Sequence, residues 1–203
     1  MRIIETRTAP NPRRARIFLA EKQIAVPLEE VEIMQGELRT PEFAGLNPWQ
    51  RVPVLVLDDG TAIAESVAIC RYFEELQPEP ALFGRGALGR AQVEMWHRRV
   101  ELGLFQAVAS VFRHLHPKMK GLEDPQIAAW GEANKPKVAE MLALIDARLK
   151  EARFIAGDEY SIADITALVA VDFMRVMRLR RPEGLGSLER WHREVSARPS
   201  ASA

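Results

Sequence analysis

Apolar and polar residues change their pattern twice within a short stretch of the first third of the chain. Residues 52–57 form an unbroken apolar run of strand length, rich in β-branched side chains. Asp59-Gly60 follows as a tight-turn signal, and residues 61–64 have the length of a returning strand. Glu65-Ser66 then opens a segment whose apolar residues recur at helical spacing. The pattern predicts a hairpin that leads directly into a helix.

The residues before this hairpin predict a strand, a helix and a second strand. A short strand begins at Ile3 and ends near Thr8, and Asn11 with Pro12 is expected to cap and begin a helix. Residues 28–33, where polar and apolar side chains interleave, form the next predicted strand. A parallel pair of strands joined by a helix requires a right-handed crossover. The order βαβ followed by ββα predicts an α/β domain with a mixed four-stranded sheet.

Two prolines and a glycine within residues 77–84 indicate a domain boundary. We predict an α/β domain over residues 1–78, a linker over 79–84 and a second domain over 85–203. Strand signals nearly vanish after the linker, so the second domain is predicted to be an all-helical bundle.

Three features organise the predicted helices of the second domain. Residues 87–116 form one long helical stretch, and a second helix is expected from Asp124-Pro125 to about residue 150, with Pro136 inside it. Ser161 and Asp164 have the spacing of a capping box, with Asp in place of the usual Glu. This pair predicts a helix start with a structural role.

Composition limits the possible classes of protein. Lys+Arg and Asp+Glu number 28 each, which weakens the case for a dedicated nucleic-acid binder. The single cysteine, Cys70, excludes an internal disulfide, and its apolar neighbours indicate a core residue and not a nucleophile. No apolar run reaches transmembrane length and no signal-peptide pattern opens the chain, so a cytoplasmic location without membrane contact is expected.

Two details of the hairpin region point to ligand chemistry. Pro53 has no N–H and forces Val52 into an extended conformation, so the Val52 backbone is available to a partner other than a neighbouring strand. Glu65 and Ser66 lie at a predicted helix N-terminus, where unpaired N–H groups favour a carboxylate. Taken separately, each is better explained without a ligand, as an edge proline and as an ordinary serine cap.

Taken together, these residues carry a long and ordered motif. The pattern N-P-x-x-R-V-P-V-L, then D-D-G, then I-x-E-S-x-A-I-x-x-Y resembles the N-terminal domain of cytosolic glutathione transferases, which has a thioredoxin-like fold. A second segment, G-D-x-x-S-I-A-D-I, resembles the same family's C-terminal domain. The resemblance implies a cis Pro53, a Val52 backbone that pairs with the cysteinyl part of glutathione, and Glu65 and Ser66 at the γ-glutamyl end.

The group that would activate the glutathione thiol is expected in the turn Thr8-Ala9-Pro10-Asn11. A helix N-terminus favours a thiolate, and one bacterial group of the family places Thr-Pro-Asn at this turn. Asn11 matches the Asn of that group and is the first candidate, although a helix-capping role is an equal alternative. Ala9 lacks the hydroxyl of the expected Thr, and Thr8, one residue early, is the second candidate.

Two arginines are candidates for the glycine carboxylate of glutathione. Arg39 precedes P-E-x-L, where plant-type members hold a basic residue, and Arg51 stands where the family often has Lys or Gln. Either side chain is able to form a charge-assisted hydrogen bond with a carboxylate. Solvated surface charge is the alternative for both.

The resemblance implies glutathione as co-substrate and attack of its enzyme-bound thiolate on a small hydrophobic electrophile, a reaction typical of detoxification. Glutathione-dependent reduction of a disulfide or peroxide, and glutathione binding without catalysis, are the alternatives. The family is usually homodimeric, so a homodimer is expected. His114 and His116 form a lone His-x-His pattern that is too weak for us to assign a metal.

Overall fold

A computed structural model describes all residues, Met1–Ala203. The chain divides into two compact units. The first comprises Met1–Leu82 together with Pro199–Ala203, and the second comprises Phe83–Arg198. No helix is long and apolar enough to cross a membrane.

The first unit contains the predicted βαβ and ββα series. Its elements, in chain order, are β1 (Arg2–Glu5), α1 (Pro10–Glu21), β2 (Leu28–Glu30), α2 (Pro41–Leu46), β3 (Val54–Val56), β4 (Ala62–Ala64) and α3 (Ser66–Leu76). Short 3-10 helices over Ile33–Gln35 and Glu37–Arg39 precede α2.

The sheet has the strand order β2-β1-β3-β4. β1 pairs with β2 in parallel and with β3 in antiparallel, and β3 pairs with β4 in antiparallel. The thioredoxin-like fold and the mixed four-stranded sheet are therefore confirmed. The strands are shorter than predicted: β2 ends at Glu30, since a 3-10 turn follows at Ile33, and β3 begins only after Pro53.

Alternation along the strands separates two buried faces of this sheet. One face is an apolar cluster that loops and α2 cover. Its buried members are Ile4, Leu38, Phe43, Val52, Val54 and Val56. Ile3 and Leu55 pair with one another across β1 and β3, and their side chains alternate with Ile4 and Val54 and so point to the other face. Both are fully buried. Helices α1 and α3 pack against one another.

The second unit is all-helical, as predicted. Its helices are α4 (Gly86–Arg99), α5 (Gln106–Leu115), α6 (Ala128–Glu151), α7 (Ile162–Phe173) and α8 (Gly186–Ser196). A π-helical segment, Val100–Phe105, joins α4 to α5, so the predicted long stretch is continuous but not uniformly α-helical. α6 begins at Ala128 and not at Asp124-Pro125, and Pro136 lies inside it without ending it.

The start of α7 matches the predicted capping box. Ser161 Oγ accepts a hydrogen bond from the Ala163 N–H, and an oxygen of Asp164 accepts one from the Ser161 N–H. Every residue from Ser161 to Val171 is buried. This helix lies in the core of the second unit, because residues all round its surface, and not along one stripe only, are buried.

Candidate functional site

The approach to β3 presents a backbone without partners in the sheet. Val52, which is 7% exposed, lies just before the strand, and the Val52–Pro53 peptide bond is cis, as the resemblance implied. No hydrogen bond of the surrounding loops and turns uses the N–H or C=O of Val52. A buried extended residue in this state has one backbone donor and one acceptor to offer a ligand.

Asn47 organises the loop that leads to Val52. Its side-chain Nδ2 donates to the carbonyl of Arg51 at 2.9 Å, and its Oδ1 accepts from the Trp49 N–H at 3.1 Å. Its own carbonyl accepts from the Gln50 N–H at 2.9 Å. The sequence motifs predict no separate role for Asn47. The available signal was an Asn followed by Pro, a pair that favours a side-chain-closed turn.

The N-terminus of α3 is open. Glu65, the N-cap residue, makes no side-chain capping bond and has a positive φ of 68° with ψ 116°. The first helix-closing bond runs from the Ile69 N–H to the Glu65 carbonyl at 3.0 Å. The N–H groups of the three preceding residues therefore have no helical partner. Ser66, only 5% exposed, stands at the head of this turn.

The sheet brings Val52, Pro53, Glu65 and Ser66 together. β3 pairs with β4 so that Val54 faces Ala64, and the same register continued by one residue places Pro53 beside Glu65. Adjacent strands lie about 5 Å apart. The Val52 backbone and the open helix start are therefore neighbours across one end of the hairpin.

The turn that contains Thr8 and Asn11 leaves the sheet at the same end. Ile4 faces Val54 in the antiparallel pair, so the residues after β1 emerge where the residues before β3 arrive. Thr8 is exposed within this turn. The topology thus brings three of the predicted segments to the same end of the sheet.

The start of α1 corrects the prediction for Asn11. The helix begins at Pro10, Ala9 is the N-cap residue without a side-chain cap, and Asn11 is the second helical residue. Asn11 is therefore not the helix cap, because the first of the two prolines already occupies the position that favours helix initiation. Pro10 and Pro12 have no N–H, and the Arg13 N–H donates to the Ala9 carbonyl at 3.3 Å. Asn11 consequently supplies the one backbone N–H of the first turn that has no helical partner.

Comparison with known proteins agrees with this arrangement. Residues 8–76 match the family description "Glutathione S-transferase, N-terminal domain", and residues 111–199 match "Glutathione S-transferase, C-terminal domain". "Glutathione S-transferase 2" of Saccharomyces cerevisiae is 36% identical over 203 residues, which cover 98% of this chain and 87% of the yeast protein. The chain belongs to the glutathione S-transferase family.

Solved structures of glutathione S-transferases superpose closely on this one. A glutathione S-transferase domain-containing protein from Marinobacter aquaeolei has a TM-score of 0.95 at 39% identity, covering 98% of this chain and 99% of that one. Gtt2 from Saccharomyces cerevisiae also has a TM-score of 0.95, at 36% identity, covering 100% of this chain and 99% of that one. The family prediction made from the motifs is confirmed.

The two arginines predicted for the glycine carboxylate are placed differently. Arg51 is exposed and directly precedes Val52. Arg39, also exposed, ends a 3-10 helix, and its neighbour Leu38 is buried in the same apolar cluster as Val52. The strand register does not place Arg39 at the sheet end, so its role stays a prediction.

Cys70 lies in the core of the first unit, as predicted. It is 1% exposed, and burial raises the pKa of its thiol to about 12, although the positive charge of Arg14 acts in the opposite direction. The thiol is therefore protonated at neutral pH and is a poor nucleophile.

The two histidines of the second unit serve its loops. His114 Nδ1 accepts from the Ile127 N–H at 3.1 Å, and His116 Nδ1 accepts from the Lys118 N–H at 3.2 Å. The His-x-His pattern thus has a local structural use: each ring satisfies a backbone donor in the segment between α5 and α6.

Proposed function

We propose that this glutathione S-transferase binds glutathione at the sheet end formed by Val52-Pro53, Glu65-Ser66 and the Thr8–Asn11 turn. The observation that carries the proposal is the open N-terminus of α3 beside a backbone without sheet partners. A tripeptide with a carboxylate at one end and peptide groups in its middle matches these donors and acceptors.

Each part of glutathione has a chemical counterpart in the proposed site. The α-carboxylate of the γ-glutamyl residue accepts from the Ser66 hydroxyl and the free N–H groups of α3, and its ammonium pairs with Glu65. The cysteinyl N–H and C=O exchange hydrogen bonds with the Val52 backbone. The glycine carboxylate is assigned to Arg51 and Arg39, whose exposed guanidinium groups carry charge at little desolvation cost.

The proposed reaction is attack of the glutathione thiolate on a small hydrophobic electrophile. With an aryl chloride, the thiol proton leaves to solvent, a carbon–sulfur bond forms, and chloride departs with the carbon–chlorine electron pair. The protein contributes positioning and stabilisation of the sulfur anion at the α1 N-terminus. Asn11 is the group assigned to the sulfur, and Thr8 is the second candidate.

Binding and turnover test the proposal separately. Isothermal titration with glutathione and S-methylglutathione should show binding of both, and an activated aryl chloride (a chlorodinitrobenzene) should be conjugated. An Asn11→Ala variant should keep S-methylglutathione affinity while kcat/KM falls about tenfold, as expected for loss of one hydrogen bond to a charged group. Failure of the parent protein to bind glutathione would contradict the proposal at its centre.

The same assays discriminate the alternatives. Turnover of a mixed disulfide without conjugation of the aryl chloride would favour glutathione-dependent reduction, in which glutathione supplies the redox thiol because Cys70 is buried. Binding without turnover of either substrate would favour a non-catalytic glutathione-binding protein. Full activity of Asn11→Ala would exclude Asn11 as the thiol-activating group.

A homodimer is the proposed assembly, in keeping with the usual state of the family. Light scattering of the purified protein should give a mass of about twice 22.9 kDa. A mass of one chain at the assay concentration would contradict this part of the proposal.

A further inference from the structure

Arg14 is a buried charge that the proposed function has not used. It lies in α1, three residues after Asn11, and is 1% exposed. Burial of a guanidinium group costs free energy unless the charge is paired and its N–H groups are hydrogen-bonded. A buried arginine within one helical turn of the proposed sulfur site therefore calls for an explanation.

The guanidinium group of Arg14 determines how the Asn11 amide is oriented. One terminal nitrogen of Arg14 donates to Asn11 Oδ1 at 3.2 Å. A guanidinium group has only donors, so the oxygen of the amide, and not its NH₂, must face Arg14. The NH₂ group of Asn11 therefore faces away from Arg14, and the outward side of this amide offers hydrogen-bond donors and no acceptor.

Such an orientation suits a sulfur anion. A thiolate accepts hydrogen bonds, whereas a carbonyl oxygen turned toward it would repel it. A positive charge on the oxygen side of an amide also polarises its N–H bonds and strengthens them as donors. The first effect comes from the donors of the guanidinium group and the second from its positive charge.

Arg14 lies among other titratable groups of the first unit. On α3 the nearby titratable groups are Cys70, whose thiol is kept protonated by burial, and Glu74, which forms an ion pair with Lys22 at 2.7 Å. Arg16, a second buried arginine of α1, provides a contrast, since it pairs with the buried carboxylate of Glu5 and donates to the Arg7 carbonyl at 2.9 Å. Arg16 thus has a structural use that involves no residue of the proposed site.

We propose that Arg14 is a positioning residue that holds the Asn11 amide with its NH₂ group toward the sulfur of bound glutathione. This inference rests on the proposed function, in which Asn11 contacts the thiolate. It adds a residue that touches neither glutathione nor the electrophile and that acts on the sulfur only through Asn11.

The test follows the ionisation of glutathione bound to the whole protein. The ultraviolet absorbance of the thiolate, titrated against pH, reports the thiol pKa in the parent, in Arg14→Met and in Asn11→Ala. Arg14→Met should raise that pKa by about one pH unit and lower kcat/KM for the aryl chloride about tenfold at a pH below both values. Affinity for S-methylglutathione, which has no thiol to ionise, should change by less than about twofold.

A double-mutant cycle separates positioning from a structural role. In the Asn11→Ala background, Arg14→Met should have no further effect on the thiol pKa, because the amide through which Arg14 acts is gone. Equal effects of Arg14→Met in both backgrounds, or no effect in the parent, would overturn the inference. If Arg14→Met does not fold, Arg14→Lys serves in the same cycle, with an expected loss of about threefold in the parent background only.

Failure of the inference is distinguishable from failure of the proposed function. A parent protein that binds neither glutathione nor S-methylglutathione contradicts both. If the parent protein binds and ionises glutathione but Arg14→Met leaves the thiol pKa unchanged, only the inference is contradicted.

Discussion

Helices α3 and α7 both have a serine at their start, Ser66 as the first helical residue and Ser161 as the N-cap, but their first turns are used in different ways. At α7, Asp164 accepts four hydrogen bonds, and all four donors are buried. The donors are the Ile155 N–H, the Ser161 N–H, the Ser161 hydroxyl and the Trp191 indole N–H, at 2.9 to 3.0 Å. At α3, no side chain caps the helix, and Glu65 is exposed.

The difference follows from burial. A helix start inside a core must satisfy its own donors, because an unpaired buried polar group costs about 1–3 kcal/mol. At α3 the Ser66 side chain is buried, but the N-cap residue Glu65 is exposed, so the helix start is open to water or a ligand. One turn therefore stabilises the fold, and the other is suited to binding.

Removal of Asp164 should give the largest effect, and it should fall on stability. Asp164→Ala leaves four buried donors without an acceptor and should lower the free energy of unfolding by about 3–5 kcal/mol. Denaturant unfolding measures the loss. Asp158→Ala, an exposed carboxylate in the preceding turn, is the control and should change stability by less than about 0.5 kcal/mol. A loss below about 1 kcal/mol for Asp164→Ala would contradict the structural role of the capping box.

The pH dependence of stability tests the same carboxylate without removing its oxygens. Burial raises the pKa of Asp164 from 3.8 to about 6, although its four hydrogen bonds act to lower it. Between these values the folded state binds more protons than the unfolded state, so stability attributable to this group falls as pH rises from about 4 to about 6. Two pH units correspond to about 3 kcal/mol at most.

The measurement is the unfolding free energy of the parent minus that of Asp164→Asn, taken across this pH range. The difference should decrease with rising pH and then become constant above about pH 6. An increase over the same interval would show that the carboxylate is more acidic in the folded protein than in the unfolded chain.

Substitution of each serine by alanine allows a matched comparison of stability and glutathione affinity. Ser161→Ala should lower the unfolding free energy by about 1–2 kcal/mol, because an N-cap is lost, and leave glutathione affinity unchanged. Ser66→Ala should weaken glutathione binding about tenfold, because a hydrogen bond to a charged carboxylate is lost, and change stability by less than about 1 kcal/mol. Calorimetric titration and denaturant unfolding of both variants measure the two quantities. Equal stability losses in the two variants would remove the distinction between the helix starts.

The backbone of Glu65 should give the smallest effect. A non-glycine residue at φ 68° and ψ 116° is outside the common backbone regions, and Glu65→Gly relieves this strain. The variant should gain about 1 kcal/mol of stability, as seen by a higher denaturant midpoint, while glutathione affinity falls. A loss of stability instead would show that the Glu65 side chain supports the turn in ways that outweigh its backbone strain.

Local signals in the sequence predicted the parts of the structure that depend on near neighbours. The Ser161–Asp164 capping box and the Asp59-Gly60 hairpin were predictable because a turn or cap is decided by three or four consecutive residues. Where two local signals competed, the prediction was wrong: the two prolines around Asn11 allowed a helix start at Pro10 as well as at Pro12. β3 was predicted too long because Pro53 is apolar but cannot join the ladder.

The sequence by itself determined the family, the order of the elements and the residue types that suit glutathione, because motif spacing and periodicity are local properties of the chain. Only the tertiary structure decided that β1, β3 and β4 meet at one end, that Arg14 is buried behind Asn11, and that Pro199–Ala203 returns to the first unit. In that return, Arg13 donates to the Ala201 carbonyl at 3.1 Å. Strand register and burial depend on contacts between distant residues, whose pairing no local pattern encodes. The helix start at α3 can therefore be predicted from the sequence motif, but the residues that lie beside it are known only from the tertiary structure.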